Sequence, residues 1–317
     1  MRSERRRLKL KFEDTKVAFG RHQTFAVRYG WLSKGFQAVK RDPNVLRSEA
    51  AVEVLGVGKN MVDSIGYWLR AFQLIESDSY KPTEIGNLLF SSNAGLDPYL
   101  EDEATIWLLH WLLVSNPKQA TSWYWFFNCY HKPEFTGQEI FTALSDYVGD
   151  RVKSAKRPAA NTLKADASLI PRMYTQSRVS NRTPIEDALD SPLALLRLIT
   201  PMVGERGFQS KSAARPGLPI GILGYAVAQL FREKQSDIVP IEDLMYSRDD
   251  YPAPGAVFRL TEMDLLTKLE LLVASIPGVF EINETAGIHQ LFQIKSVPLH
   301  SFIEKHYALA HEGGRAA

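Results

Sequence analysis

Residues 48–72 read SEAAVEVLGVGKNMVDSIGYWLRAF, and this stretch decides the fold. Ser48 is a good N-cap, and Glu49 stands in the first turn, where a carboxylate complements the helix dipole. The short helix predicted there ends at Gly56-Val57-Gly58, because glycine takes the positive φ of a tight turn without a steric penalty. A second helix starts near Lys59 and Asn60. Met61, Ile65, Trp68, Leu69 and Phe72 recur at helical spacing and form its apolar face. Lys59, Asn60, Asp63, Ser64, Tyr67 and Arg70 form the other face. Ala51, Leu55, Val57, Val62 and Ile65 fall where a helix-turn-helix packs across its turn. The second helix of such a motif enters the major groove with its N-terminal residues on base edges. Lys59, Asn60 and Ser64 carry the hydrogen-bonding groups for that task. Three-helix cores of this kind also serve protein contacts, so the motif alone does not decide for DNA.

Working outward, Ala18–Arg41 predicts the helix packed behind the motif, with Thr24 as N-cap and Phe25, Tyr29, Leu32 and Phe36 on one face. Arg21, His22 and Gln23 precede that helix, and Arg28 and Lys34 lie along it. Interleaved basic and aromatic residues suit a phosphate-facing surface, although a solvated helix face has the same composition. Downstream, Leu74-Ile75-Glu76 and Tyr80-Lys81-Pro82 flank Ser77-Asp78-Ser79, the pattern of a small hairpin. Thr83 then caps a short helix. Helix, helix, helix, hairpin is the order of a winged helix. Residues 1–16 form a basic arm, in which Arg2, Arg5, Arg6, Arg7, Lys9 and Lys11 can lie on phosphates or simply be solvated.

The 317 residues are 45% hydrophobic and 23% charged, an ordinary globular composition with room for two or three domains. A formal net charge of +2 gives no global signal of a nucleic-acid partner, so the local distribution has to carry that argument. The single cysteine, Cys129, excludes an intramolecular disulfide framework and a cysteine-rich metal site. The basic N-terminus lacks the apolar stretch of a secretory signal. The longest apolar run, Ala104–Val114, is too short to span a bilayer and contains His110. A cytoplasmic protein without membrane contact is expected.

The rest of the chain predicts a helical region over 96–175. An Asp97-Pro98 start and an Asn116-Pro117 stop bound its first helix. A second aromatic helix runs to Tyr130, and helices follow at 136–148 and 161–174. A basic linker with one helix, Ile185–Ile199, spans 176–216. Residues 217–307 repeat the helix and hairpin order. The helix opened by Thr261 there is acidic, which suits protein contacts better than a DNA groove. Residues 308–317 look like a disordered tail. The expected fold class is mainly α: a winged helix over 17–95, a helical middle and a second winged-helix-like domain.

Phosphodiester hydrolysis commonly uses carboxylates that hold Mg²⁺ or Mn²⁺. The densest acidic group is Asp97, Glu101, Asp102 and Glu103. Asp97, Glu101 and Asp102 are therefore the candidate metal ligands and catalytic carboxylates, with His110 or His22 as proton carriers. Acids at a helix N-terminus are equally explained by capping. A weaker lead is Gln293 and Lys295 on a strand after Glu281 and Glu284.

The blocks FGRHQTFAVRYGWLSKGF (19–36), LGVGKNMVDSIGYWLRAF (55–72), DPYLEDEATIWLLHWLL (97–113), SWYWFFN (122–128) and NTLKAD (161–166) resemble one bacterial family. PGAVFRLTEMDLL (254–266) and ETAGIHQL (284–291) fit it too. It is the SspB-like DNA nickase family of DNA phosphorothioation gene clusters. The resemblance covers almost the whole chain. It implies a protein that binds double-stranded DNA and nicks one strand so that sulfur can replace a non-bridging oxygen. It also implies a cysteine desulfurase, an ATPase and an ATP-pyrophosphatase-like protein as partners. The resemblance assigns no catalytic residue. The alternative is a non-enzymatic recognition subunit that recruits the sulfur-transfer partners.

Overall fold

The computed structural model describes residues 10–176, 191–204, 206–285 and 288–314. The arginines of the basic arm and much of the expected linker helix lie outside them.

Three helices open the fold: α1 (Tyr29–Arg41), α2 (Ala51–Leu55) and α3 (Lys59–Ala71). α1 begins later than its periodicity predicts. Gln23 and Thr24 take φ of 51° and 63°, so they form a turn, and Arg28 occupies the N-cap position, its side chain not capping the helix. Ser48 does not cap α2 either. Its hydroxyl donates to the Val45 carbonyl (2.8 Å) and closes a 3-10 turn over Val45–Arg47. Gly56 ends α2 in the left-handed region at φ 59°, as expected. The helices α1 and α3 cross closely at Gly35, where a Cβ would lie 2.5 Å from Ile65 Cγ2. Ile65, Trp68, Leu69 and Phe72 are buried as the spacing predicts, Met61 is only half-buried, and Val62, expected to pack across the turn, is buried. The buried face of α3 is wider than that pattern, however. Ser64 and Tyr67 are buried too, and beside them Trp123 packs edge-on against Trp68 with centroids 5.3 Å apart.

The expected hairpin is minimal: one antiparallel bridge pairs Ile75 with Pro82, and the Glu76 N–H donates to the Lys81 carbonyl (2.8 Å). Thr83 caps α4 (Glu84–Phe90), its hydroxyl accepting the Gly86 N–H at 3.1 Å. α5 (Glu103–Val114) starts at Asp102, not at Pro98, and is buried on every side from Ala104 onward. It packs on α6 (Thr121–Asn128), whose rings fill the centre of the core. β1 (Glu134–Phe135) follows. α7 (Gly137–Arg151) begins in a reciprocal capping box between Thr136 and Glu139, and α8 (Ala160–Tyr174) lies beside it. The predicted helix to Ile199 is instead a 3-10 turn over Pro192–Leu196, closed by Arg197 at φ 50°. β2 (Thr200–Pro201) and β3 (Phe208–Gln209) join β1 in a small antiparallel sheet of order β1-β3-β2.

The final part holds α9 (Ile220–Lys234), β4 (Ile238–Pro240), α10 (Ile241–Met245), α11 (Pro254–Val257) and α12 (Glu262–Ser275). Thr261 caps α12 through the Asp264 N–H, as predicted. The hairpin is β5 (Phe280–Thr285) with β6 (Ile288–Gln293), and β4 extends it to a three-stranded antiparallel sheet of order β4-β6-β5. Leu291 sits opposite Val239 on one side and Ile282 on the other. α13 (His300–Gly314) runs past residue 308, where a disordered tail is expected. Phe302, Ile303 and Tyr307 are buried and anchor it.

The described residues are thus mainly α with two small sheets. Among them, no helix is long and apolar enough to cross a membrane. Arg259 ties the final part to α6. Its buried guanidinium donates to the carbonyls of Phe126 (2.9 Å), Phe127 (3.1 Å) and Tyr130 (3.2 Å) and to Ser210 Oγ (3.0 Å). Burial pushes it down to about 10. The unpaired carbonyls at a helix C-terminus carry partial negative charge, which compensates the buried cation.

Candidate nucleic-acid interface

Arg21, Gln23 and Arg70, three residues singled out in the sequence, line one pocket of about 370 Å³. Asp63, Gly66, Leu46, Val62 and Tyr80 complete its wall with Gly20. Arg70 is carried by the last turns of α3 and steadied by an Nε–H bond to the Gly66 carbonyl (2.9 Å). Arg21 and Gln23 come from the turn before α1 and are exposed. Arg47 and Tyr80, which no sequence signal marks, join them: the Arg47 guanidinium lies 4.0 Å from the Tyr80 ring centroid and that of Arg70 5.0 Å. Cations over an aromatic face are held there by the ring quadrupole.

Burial holds the Arg70 guanidinium below the usual arginine range, and the charges of Arg21 and Arg47 add to that depression. Asp63 is the one carboxylate in the lining. A bound anion would relieve the repulsion among three guanidiniums, and a phosphate offers the planar fork of arginine a bidentate partner.

The α3 N-terminus stands beside this pocket in sequence. Lys59, Asn60 and Asp63 are exposed on its first turns. Ser64 is a correction: it is completely buried on the core side and cannot approach a base. Lys34 is exposed, with its Nζ 3.6 Å from where a Cβ on Gly56 would stand, so it reaches the turn leading into α3. Arg28 is half-buried and lies 5.2 Å from the Trp31 ring centroid, away from the pocket lining.

His22 supports the pocket from below and does not face it. Its Nδ1 accepts the Thr24 N–H (3.0 Å), which leaves the proton on Nε2 to be donated to Asp166 Oδ1 (2.7 Å). Asp166 also accepts the Gly20 N–H (2.9 Å) and the Ser122 hydroxyl (2.5 Å). The Gly20–Thr24 turn is therefore clamped at both ends by buried groups while Arg21 and Gln23 point outward.

The acidic group does not form the metal site expected of it. Asp97 is buried and accepts the Glu101 N–H (2.8 Å), the Asp102 N–H (3.1 Å) and the Thr105 hydroxyl (2.5 Å). Asp102 caps α5 through the Ala104 N–H (2.8 Å) and lies 3.4 Å from His306 Nε2. Glu101 is exposed. Among the described residues, no three His, Cys, Asp or Glu side chains converge as a metal would need. His110 is buried in the core, its Nε2–H donating to the Val257 carbonyl (2.8 Å) and its Nδ1 accepting the Tyr174 hydroxyl (2.8 Å). Burial pushes it down to about 3. With both ring nitrogens of His22 and His110 engaged and no solvent contact, neither is placed to carry a proton to a substrate. Lys295 is exposed just after β6, and Glu281 and Glu284 are exposed on β5.

The family described as "Protein of unknown function (DUF4007)" matches residues 19–307. The chain belongs to this family. The DUF4007 match takes in the arginine pocket, the Asp97 turn and both sheets. Two solved structures are similar over nearly the whole chain. An SspB crystal structure is 28% identical, with a TM-score of 0.80, covering 93% of this chain and 89% of that one. A magnesium ion-bound SspB crystal structure is 29% identical, with a TM-score of 0.81, covering 95% and 90%. This DUF4007 chain is SspB-like, in agreement with the resemblance of its sequence blocks. No curated protein matches it.

Proposed function

We propose that this chain is the DNA-binding protein of a bacterial phosphorothioation system and that it nicks one strand of double-stranded DNA. The observation that carries the DNA contact is the pocket lined by Arg21, Arg70 and Tyr80, with the Arg47 guanidinium against the same Tyr80 ring. Residues 17–95 act as a winged helix: Lys59 and Asn60 read base edges, and the arginines hold phosphate. The likeness to SspB supports the phosphorothioation setting. In this reading the protein works in the cytoplasm with a cysteine desulfurase, an ATPase and an ATP-pyrophosphatase-like protein.

The magnesium ion-bound relative supports Mg²⁺ as an ion this chain takes up. The Asp97 turn does not fit that ion, because the Asp97 oxygens are filled by three donors. No step of hydrolysis is assigned to it. That same filled carboxylate favours a second reading, a recognition subunit that recruits the sulfur-transfer proteins and cuts nothing.

Two measurements separate these readings. Gel shifts on duplex DNA test binding, and Lys59→Ala with Asn60→Ala should weaken specific binding by about 1–3 kcal/mol per lost base contact. Supercoiled plasmid with Mg²⁺ or Mn²⁺ tests cutting. An open-circle product that survives stringent purification supports the nickase, and its absence with both ions supports the recruiting subunit.

A further inference from the structure

The DPYLED block, once excluded as a three-carboxylate metal site, has another product: it holds Tyr99 in the solvent. Tyr99 is 72% exposed, although the backbone on both sides of it is fixed. Asp97 binds the two N–H groups that follow the turn, and Leu100 is buried in the left-handed region at φ 59°. A large ring exposed on a rigid support, not on a loose loop, is pre-ordered for contact.

Tyr99 overhangs an open groove of about 550 Å³ along α1. Tyr29 at the helix start gives a second ring, and Val54 of α2, 47% exposed, gives an apolar wall. Lys34 and Arg41 are the charged groups in the lining, and no carboxylate joins them. Its size falls in the range of about 300–1,000 Å³ usual for small-molecule sites. Through Lys34 the groove adjoins the turn that leads into α3. Rings beside cations, with no opposing acid, match an aromatic, anionic polymer: a base has a π-face to stack, and its flanking phosphates meet the lysine and arginine.

We propose that this groove accepts an unpaired nucleobase displaced from the duplex, stacked on Tyr99. The inference rests on the reading of the chain as a DNA-binding protein. It adds a second contact, for single-stranded character, beside the duplex contact of α3 and the arginine pocket.

The test uses the full chain with two oligonucleotides, a fully paired duplex and the same duplex with one bulged, unpaired base. The protein should bind the bulged duplex roughly tenfold more tightly, the scale of one base stacked on an aromatic side chain. Tyr99→Ala should abolish that preference and Tyr99→Phe should keep it, with affinity for the paired duplex unchanged in both. Gly30→Leu offers an independent block: Gly30 lines the groove, and a Cβ there meets nothing within 4 Å, so the side chain fills the groove without disturbing the core. It too should erase the preference. Binding of the paired duplex with no preference for the bulge overturns the groove proposal alone, as does a preference that survives both Tyr99→Ala and Gly30→Leu. Failure to bind the paired duplex overturns the DNA reading and this inference with it.

Discussion

His22 Nε2 lies 2.7 Å from Asp166 Oδ1 in a completely buried contact between residues 144 positions apart. The pair explains why a histidine sits inside the block GRHQT. It ties the turn that presents Arg21 and Gln23 to α6 and α8 through Ser122 and Asp166. The carboxylate receives three donors, so its negative charge is well compensated without a cationic partner.

Asp166→Asn keeps the shape but turns an N–H₂ toward at least one of those donors. An unsatisfied buried polar group costs about 1–3 kcal/mol, and the urea midpoint should fall accordingly. Duplex affinity should fall further than stability alone accounts for, measured where the variant is still fully folded. Equal affinity in the folded variant would remove the clamp from the account of binding.

Arg21→Ala and Arg70→Ala should each reduce the slope of log affinity against log salt concentration by about one, since each guanidinium displaces about one counterion from the duplex. Arg21 is exposed, so its variant should keep the wild-type melting temperature. Arg70 is half-buried, and part of its effect should appear as lost packing. Unchanged salt slopes in both variants would place the phosphate elsewhere.

Much of the helical framework was legible in the sequence because caps and periodicity act locally. The Gly56 turn, the start of α3, the Thr83 cap, the helices opening at Thr136 and Thr261 and the β5-β6 hairpin are of this kind. The misses come from side chains that take partners or surroundings the local pattern does not show. Thr24 would cap a helix on local rules, yet the buried His22 draws its N–H into a turn. Ser64 is polar and should face water, yet it is completely buried on the side of α3 that carries Trp68, on which Trp123 of α6 packs. Strands of two or three residues such as β1, β2 and β4 have too little periodicity to be seen. Of the residues around the candidate pocket, Arg21, Gln23 and Arg70 carry a basic or polar signal in the sequence, while Arg47 and Tyr80 are brought in only by folding.

His110 gives the chain a measurable acid sensitivity. Its ordinary value near 6.5 in the unfolded chain drops to about 3 in the fold, because burial disfavours the imidazolium. Between those values the unfolded chain binds a proton that the native chain does not. Stability therefore falls as pH drops from about 6.5 toward 3, by at most about 1.4 kcal/mol per pH unit, and the group adds no slope above 6.5. His110→Gln should lose stability at pH 7 yet show a shallower decline between pH 6.5 and 4. Parallel stability curves for the two proteins in urea titrations at several pH values would contradict the burial of a neutral ring.

Asp97 and Glu101 stand one helical turn apart in sequence but do different work, and their variants should separate. Asp97→Ala strands two backbone N–H groups and the Thr105 hydroxyl, which also meets the Tyr307 hydroxyl of α13. At about 1–3 kcal/mol for each unsatisfied buried donor, this substitution should lower the denaturation midpoint substantially. It should also loosen Tyr99. Glu101→Gln changes an exposed side chain and should stay within about 0.5 kcal/mol of wild type. Plasmid nicking, where present, should then be lost in Asp97→Ala only in step with unfolding, and be kept in Glu101→Gln. If Glu101→Gln instead abolishes nicking at an unchanged melting temperature, the exposed carboxylate acts on the reaction itself. The DPYLED turn would then be part of the cutting centre and not merely the support of an aromatic ring.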